Sequence, residues 1–409
     1  MTFPTKPSQK RLVYLDHAAA TPLDPKVFEV MKPYFGGAFG NPSSLYKLGR
    51  EARRTVENAR QEIGVVLDTQ PDTLIFTSGG TEANTLALAG AARHAFATNR
   101  HARHIVTTQT EHHAVLEICH QLEREGFDVT YLPVDEEGFV TVKQVHDALR
   151  EDTILVSIMY ANNEIGTVQP IEDIGREILK WRKAHGGSKE KVSYPYFHVD
   201  ACQAPQYLEL DVEKLHVDLM SLNGSKIYGP KGVGLLYRRR EVALDPIVHG
   251  GGQEFGLRSG TENVPGIVGL AAALTLRRQE VQKERESMIC LAEYAWKRIL
   301  KEIPDCKLNG PEIGERRLAN NLNIIFSGVE AEALVLYLDE YGIAVGTGSA
   351  CAAGSDQGSH VLCALGRTQD EIRGSIRLSF GKDTTKDDID YVMRYLPAVV
   401  EELRRVSHI

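Results

Sequence analysis

Short apolar runs alternate with helix-length amphipathic stretches through the first two thirds of the chain. Thr73-Leu-Ile-Phe-Thr77, His104-Ile-Val-Thr-Thr108, Val129-Thr-Tyr-Leu-Pro133, Thr153 to Met159 and Tyr196-Phe-His-Val199 have the length and apolar content of strands. Glu82 to Ala97, Ala114 to Glu125 and Ile171 to His185 have the spacing of helices. Short apolar strands between helices predict a mostly parallel sheet covered on both faces, an α/β fold. Val217-Asp-Leu-Met-Ser221 reads as another buried strand, and Gly374 to Phe380 as an alternating one. A long helical pattern begins near Gly266 and passes Lys297, bridging to a smaller C-terminal α+β domain. The stretch 184–196, with Gly-Gly, Ser, charged residues and Pro, reads as a surface loop.

Length and charge narrow the picture. A chain of 409 residues exceeds one small core, so two domains are expected. The formal net charge of -8 argues against broad capture of nucleic acid. The triplet Arg238-Arg239-Arg240 is too short to reverse that, and reads as a strand end meeting solvent. None of the six cysteines is spaced as C-x-x-C, so neither a structural metal site nor a dithiol motif is indicated. Scattered cysteines in a chain this long suit a reducing, cytoplasmic setting. Residues 1–11 lack the apolar core of a signal peptide, and no apolar stretch reaches membrane-spanning length. No membrane partner is expected.

Phe76-Thr77-Ser78-Gly79-Gly80-Thr81-Glu82 joins a strand to a helix. Two glycines permit a tight turn, and the amides that open the helix carry partial positive charge, which suits a phosphate. A plain turn with Thr81 as helix cap is the competing reading. Lys226 sits among small residues between apolar runs, where partial desolvation favours the neutral amine needed for Schiff-base chemistry. A solvated loop lysine is the commoner case, and Lys231, in Gly-Pro-Lys-Gly, reads as such a turn residue. Asp200 ends a strand, where ligands of open α/β folds bind; a helix cap is the alternative. Cys351 lies in Gly346-Thr-Gly-Ser-Ala-Cys-Ala-Ala-Gly-Ser355, a stretch expected to be mobile and exposed. Its thiol, with a reference pKa of roughly 8.5, needs activation near neutral pH. Cys363, in Val361-Leu-Cys-Ala-Leu365, fits a buried helix face. Arg377, in an alternating strand, wants an anion: a substrate carboxylate, or an internal salt bridge.

Ten stretches together resemble the class V aminotransferase-fold cysteine desulfurases of the NifS/IscS type. They are Tyr14 to Pro22, Gly40 to Ser44, Phe76 to Glu82, Thr110 to His112, Asn162 to Gly166, His198 to Ala201, Lys226 to Gly232, His249 to Gly252, Arg258 to Thr261 and Gly348 to Cys351. They occur in the family's order and span nearly the whole chain. The resemblance implies a fold type I, pyridoxal-phosphate-dependent large domain over 25–278. It also implies a small domain over 279–409 that carries the cysteine stretch, with residues 1–24 packing on the small domain.

It further implies that Lys226 binds the cofactor covalently, that Asp200 pairs with the pyridine nitrogen, and that Gln203 contacts the ring hydroxyl. His112 would stack on the ring and move protons. Gly80 and Thr81 would hold the phosphate, with Asn223, Ser225 and the Thr261 of a neighbouring subunit, which implies a homodimer. Asn163 would contact the cofactor and, with Arg377, bind the carboxylate of L-cysteine. Cys351 would accept sulfur as a persulfide and pass it to an iron–sulfur scaffold or another carrier protein. Ser225 stands where the family often has histidine, which predicts weaker phosphate affinity. A selenocysteine lyase, a class V aminotransferase that does not use Cys351, and a non-catalytic binding protein on the same fold are the alternatives.

Overall fold

The computed structural model describes residues 4–5, 11–185, 194–347 and 358–407. Among the described residues, twelve strands form two sheets. β1 (Val13–Leu15) belongs to the smaller sheet. β2 (Leu74–Thr77), β3 (His104–Thr108), β4 (Asp128–Leu132), β5 (Thr153–Ser157), β6 (Tyr196–Asp200), β7 (Leu219–Asn223) and β8 (Gly234–Arg238) build the larger. β9 (Cys306–Asn309), β10 (Asn321–Phe326), β11 (Ile343–Thr347) and β12 (Ser375–Ser379) complete the smaller.

The large sheet has the order β2-β8-β7-β6-β5-β3-β4. Its pairings are parallel from β7 to β4, and β8 alone runs against the rest. Apart from the edge strand β4, the strands are buried on both faces because helices cover both, as the unbroken apolar runs anticipate. His198 is fully buried in β6, and burial pushes its pKa down to about 4. The neutral ring bridges Ser157 of β5, 2.8 Å from Nδ1, and Ser221 of β7, 3.0 Å from Nε2. That rung ties three parallel strands together at the carboxyl end of β5 and two residues before the ends of β6 and β7, where open α/β sheets hold ligands.

The small sheet has the order β1-β11-β12-β10-β9, parallel only between β1 and β11. One helix, Val264–Glu302, connects the two layers. Its 39 residues extend about 58 Å at 1.5 Å per residue. The first half packs Ile267, Leu270 and Leu274 into the core under the large sheet. The second half packs Met288, Ala292 and Ile299 into the core of the small one.

Several boundaries differ from the pattern. The strand expected over 217–221 runs 219–223, so Asn223 closes it. The helix expected from Glu82 begins at Gly80, with Gly79 as its cap residue. Thr81 is therefore inside the first turn, and the reading of Thr81 as N-cap is wrong. The helix expected to bury Cys363 is only His360–Ala364. Val361, Leu362 and Leu365 face inward, and at 100° per residue Cys363 falls on the outer side, exposed. Lys231 is exposed, as its turn setting predicts. Of the 184–196 stretch, residues 186–193 lie outside the described residues.

Candidate active site

A cavity of about 180 Å³ opens at the carboxyl ends of β2, β5, β6 and β7. Gly80 and Thr81 form one end. No side chain among the described residues caps the helix that starts there, and the acid in its first turn, Glu82, turns to the Ser78 amide and Arg258. Two glycines make the turn possible. A Cβ on Gly80 would stand 2.6 Å from the Cys202 sulfur. A Cβ on Gly234, where β8 passes behind, would stand 2.6 Å from Gly79 Cα. Asn223 closes this end. Its Oδ1 accepts from both the amide and the hydroxyl of Ser225, each at 3.1 Å. Ser225 thus braces Asn223 and does not itself line the cavity.

Asp200 sits at the centre, 6% exposed. Oδ2 accepts from Asn84 Nδ2 at 2.7 Å, and Oδ1 from the Cys202 amide at 3.0 Å. The Oδ1 contact closes a tight side-chain turn; no helix among the described residues follows β6 before β7, so the reading of Asp200 as a helix cap is wrong. Cys202 also lines the cavity, and burial, reinforced by Asp200, holds its thiol well above the usual range, hence protonated. Lys226 reaches in from the short turn Gly224–Lys226 after β7. Its Nζ donates to the Ala18 carbonyl at 2.9 Å and to that of Ala19. Gln203 Nε2 shares the Ala18 oxygen at 2.9 Å. Residues 16–24 are held in place by the lysine segment itself: Thr21 donates its amide to Ser225 O at 2.9 Å and accepts from the Tyr228 amide at 2.7 Å.

His112 caps the helix His113–Arg124, its Nδ1 accepting from the Ala114 amide at 3.0 Å. Its one ring proton is therefore on Nε2 when neutral. Burial lowers its pKa; nearby Asp200 opposes this, while Lys226 and His113 reinforce it. His113 and His360 extend the same wall, their ring centroids 4.7 Å apart. His360 Nε2 lies 2.9 Å from the Glu111 carbonyl. Behind this wall, buried Glu111 has its carboxyl pushed up to about 8. Glu164, also buried, is pushed up to about 7 and accepts from the Ser359 hydroxyl at 2.5 Å.

Asn163 and Arg377 line the opposite end. Arg377, 2% exposed, donates Nη1 to the Asn163 carbonyl at 2.9 Å and Nη2 to Asp16 at 2.6 Å. The internal salt bridge and the cavity position thus coexist. Thr261 is exposed and does not line the cavity. Cys351 lies outside the described residues.

The cavity thus brings together Gly80, Thr81, His112, Asn163, Asp200, Gln203, Asn223, Lys226 and Arg377. Asn84, Cys202, His113, Glu164, His360 and the carbonyls of Ala18 and Ala19 were not assigned there from the sequence. Asn84 falls one helical turn after Gly80, on the face of the cradle, and that spacing was the available signal. Carbonyls carry no sequence signal.

A lysine amine, a buried carboxylate and an uncapped helix start at one end of an open α/β sheet define an aminotransferase-type enzyme site. The family model for class-V aminotransferases matches residues 13–392. The chain is 47% identical over 399 residues to "Cysteine desulfurase IscS" of Dictyoglomus turgidum, with 97% of each chain covered. It resembles a solved "NIFS-LIKE PROTEIN" at TM-score 0.87 and 36% identity, covering 96% of this chain and 100% of the other. It also resembles "SspA in complex with cysteine" at TM-score 0.76 and 35% identity, covering 91% and 99%. The chain belongs to the aminotransferase class-V family.

Proposed function

We propose that this chain is a pyridoxal-phosphate-dependent cysteine desulfurase that converts L-cysteine to L-alanine and leaves the sulfur as a persulfide on Cys351. The observation that carries the reading is the meeting of Lys226, Asp200 and the uncapped Gly80–Thr81 helix start in one cavity. It stands beside the high identity to a cysteine desulfurase over nearly the whole chain. The residues fit the cofactor: an anion seat with no side-chain cap, a carboxylate for a ring nitrogen and an amine for an aldehyde. Bound there, pyridoxal phosphate supplies an electron sink that acidifies the substrate Cα–H and lets the Cβ–S bond break.

The chain's own groups do the rest. Gly80, Thr81 and Asn223, braced by Ser225, would hold the phosphate. Asp200 would keep a proton on the ring nitrogen, and Gln203 would contact the ring hydroxyl. Lys226 would hold the cofactor through its amine and would move the Cα proton of the substrate. His112 would face the ring, with Nε2–H as its donor. Asn163 and Arg377 take the substrate carboxylate, which shares the guanidinium with Asp16. Cys351 loses its thiol proton and attacks the substrate sulfur. An S–S bond forms, the Cβ–S bond breaks, and Cβ takes up a proton as the methyl of alanine.

We read 25–278 as the cofactor domain, 279–409 as the small domain, and 1–24 as a segment packing with the latter; the β1–β11 pairing of Val13 to Leu15 supports this. A homodimer would cover the exposed Phe35, Phe39, Leu45 and Tyr46 and bring Thr261 to the partner's phosphate. A sulfur-accepting protein, in iron–sulfur assembly or another transfer route, completes a cytoplasmic role. No helix among the described residues is long and apolar enough to cross a membrane. The test is to incubate the purified protein with L-cysteine and measure alanine, sulfide and the persulfide-bearing peptide together. Alanine with a persulfide on Cys351 is expected; a keto acid without alanine overturns the reading. Selenocysteine run in parallel separates a lyase.

A further inference from the structure

β2 is an edge strand: β8 pairs one side of it, and no strand among the described residues pairs the other. In such a strand, alternate residues point their N–H and C=O outward, and buried outward groups need partners. Leu74 and Phe76 are both fully or nearly fully buried and are two apart, so they face the same side. Their outward groups meet one ion pair. Arg60, from the helix Lys47–Leu67, donates Nη1 to the Leu74 carbonyl. Glu254 Oε2 accepts from the Phe76 amide at 2.7 Å. The two side chains bind each other in a fork, Nη1–Oε2 3.0 Å and Nη2–Oε1 2.8 Å, and each is 3% exposed. One donor and one acceptor at strand spacing are what a neighbouring β-strand would offer.

Two further observations say that this pair serves more than burial. Glu254 and Phe255 have φ of 46° and 59°, a conformation that non-glycine residues rarely hold and that the surroundings must enforce. Four residues on, Arg258 Nε binds Glu82 Oε1 at 2.8 Å, and Glu82 Oε2 takes the Ser78 amide at 3.0 Å. One short segment therefore grips the strand before the Ser78–Thr81 turn and the helix after it.

We infer that Arg60 and Glu254 are positioning residues that act as a surrogate strand, closing the sheet edge so that the Gly79–Gly80–Thr81 turn keeps its anion-binding shape. The inference rests on the reading of that turn as the phosphate seat. Without the pair, β2 is held on one side only, the turn it feeds loosens, and phosphate binding weakens although the core stays intact.

The test is the double variant Arg60→Met with Glu254→Met, which removes both buried charges at similar volume. Amide exchange of β2 is followed in the cofactor-free full chain, and pyridoxal phosphate dissociation by absorbance. Expected are at least tenfold faster exchange at Phe76, unchanged exchange in β5, and at least a tenfold higher dissociation constant. A Phe76 exchange rate or a dissociation constant within twofold of wild type overturns the inference. If the double variant does not fold, Glu254→Gln carries the same test. Its amide offers one acceptor for both Phe76 and Arg60, so both quantities should rise at least threefold, and unchanged values overturn it. A wild-type chain that bound no cofactor would sink the reading of the site instead, and Phe76 exchange would then decide the surrogate strand alone.

Discussion

Asn84 Nδ2 lies 2.7 Å from Asp200 Oδ2, tying the helix of the proposed phosphate cradle to the carboxylate at the end of β6. The contact sets the distance between the two ends of the proposed cofactor, because Gly80 opens the same helix. A hydrogen bond to a charged group contributes about 1.5–3 kcal/mol. Asn84→Ala should therefore lower kcat/KM for alanine formation by about tenfold or more. Asn84→Asp, which sets a second carboxylate against Asp200, should do worse. Kinetics within twofold of wild type for Asn84→Ala would remove the contact from the site.

Lys226 should be the one residue through which pyridoxal phosphate becomes covalently fixed by borohydride. Peptide mapping after reduction should find the label on Lys226 and not on the exposed Lys231. Lys226→Ala should take up no label and form no alanine. Label elsewhere in the wild-type chain would redirect the assignment.

Cys351→Ala should abolish alanine formation from L-cysteine, while Cys363→Ala should leave it within about twofold. Cys363 is the fair control because it is exposed, so its loss opens no cavity. Full turnover by Cys351→Ala, measured without added reductant, would end the proposed acceptor role.

Glu111 predicts a pH-dependent stability with a definite sign. Oε1 accepts from Thr108 and from the Met159 amide, while Oε2 has no partner among the described residues. Burial raises the carboxyl from 4.5 to about 8. Below pH 4.5 the group is protonated whether the chain is folded or unfolded. Between 4.5 and about 8 the native state keeps a proton that the unfolded chain releases. Stability therefore falls as pH rises through that window, by at most roughly 1.4 kcal/mol per pH unit. Glu164, raised to about 7, adds a loss of the same sign. Glu111→Gln keeps the acceptor and cannot ionise. Its melting temperature should fall less between pH 5 and 8.5 than that of wild type; parallel curves would contradict the assignment.

Gly80→Ala should raise the cofactor dissociation constant at least tenfold, since the new methyl group would overlap the Cys202 sulfur. Adding Cys202→Ala should restore much of the loss. Equal affinities for the single and double variants would show that the two positions do not couple.

The large sheet was readable because both faces of all its strands but β4 are buried, which leaves apolar runs that periodicity detects. Asp200, Lys226 and the glycine turn were readable for a related reason: each is a chemical exception within or beside such a run. Boundaries were less secure. Helical propensity placed the start at Glu82, because glycine and threonine are poor helix formers, whereas the fold uses their amides as the first turn. Cys363 misled because a run of apolar residues says nothing about the length of the helix that holds it. Five residues turn only part of the run inward.

By itself the sequence determined the α/β class, the order of the motifs, and the residues able to do amine, carboxylate and thiol chemistry. These follow from side-chain identity and local spacing. Tertiary structure alone decided that Ala18 and Ala19 present the oxygens that hold Lys226, and that Asp16 shares Arg377. It also decided that Arg60 and Glu254, 194 residues apart, complete the edge of β2. Backbone oxygens carry no residue signature, and ion pairs across the fold have no sequence spacing, so both exist only once the chain has closed on itself.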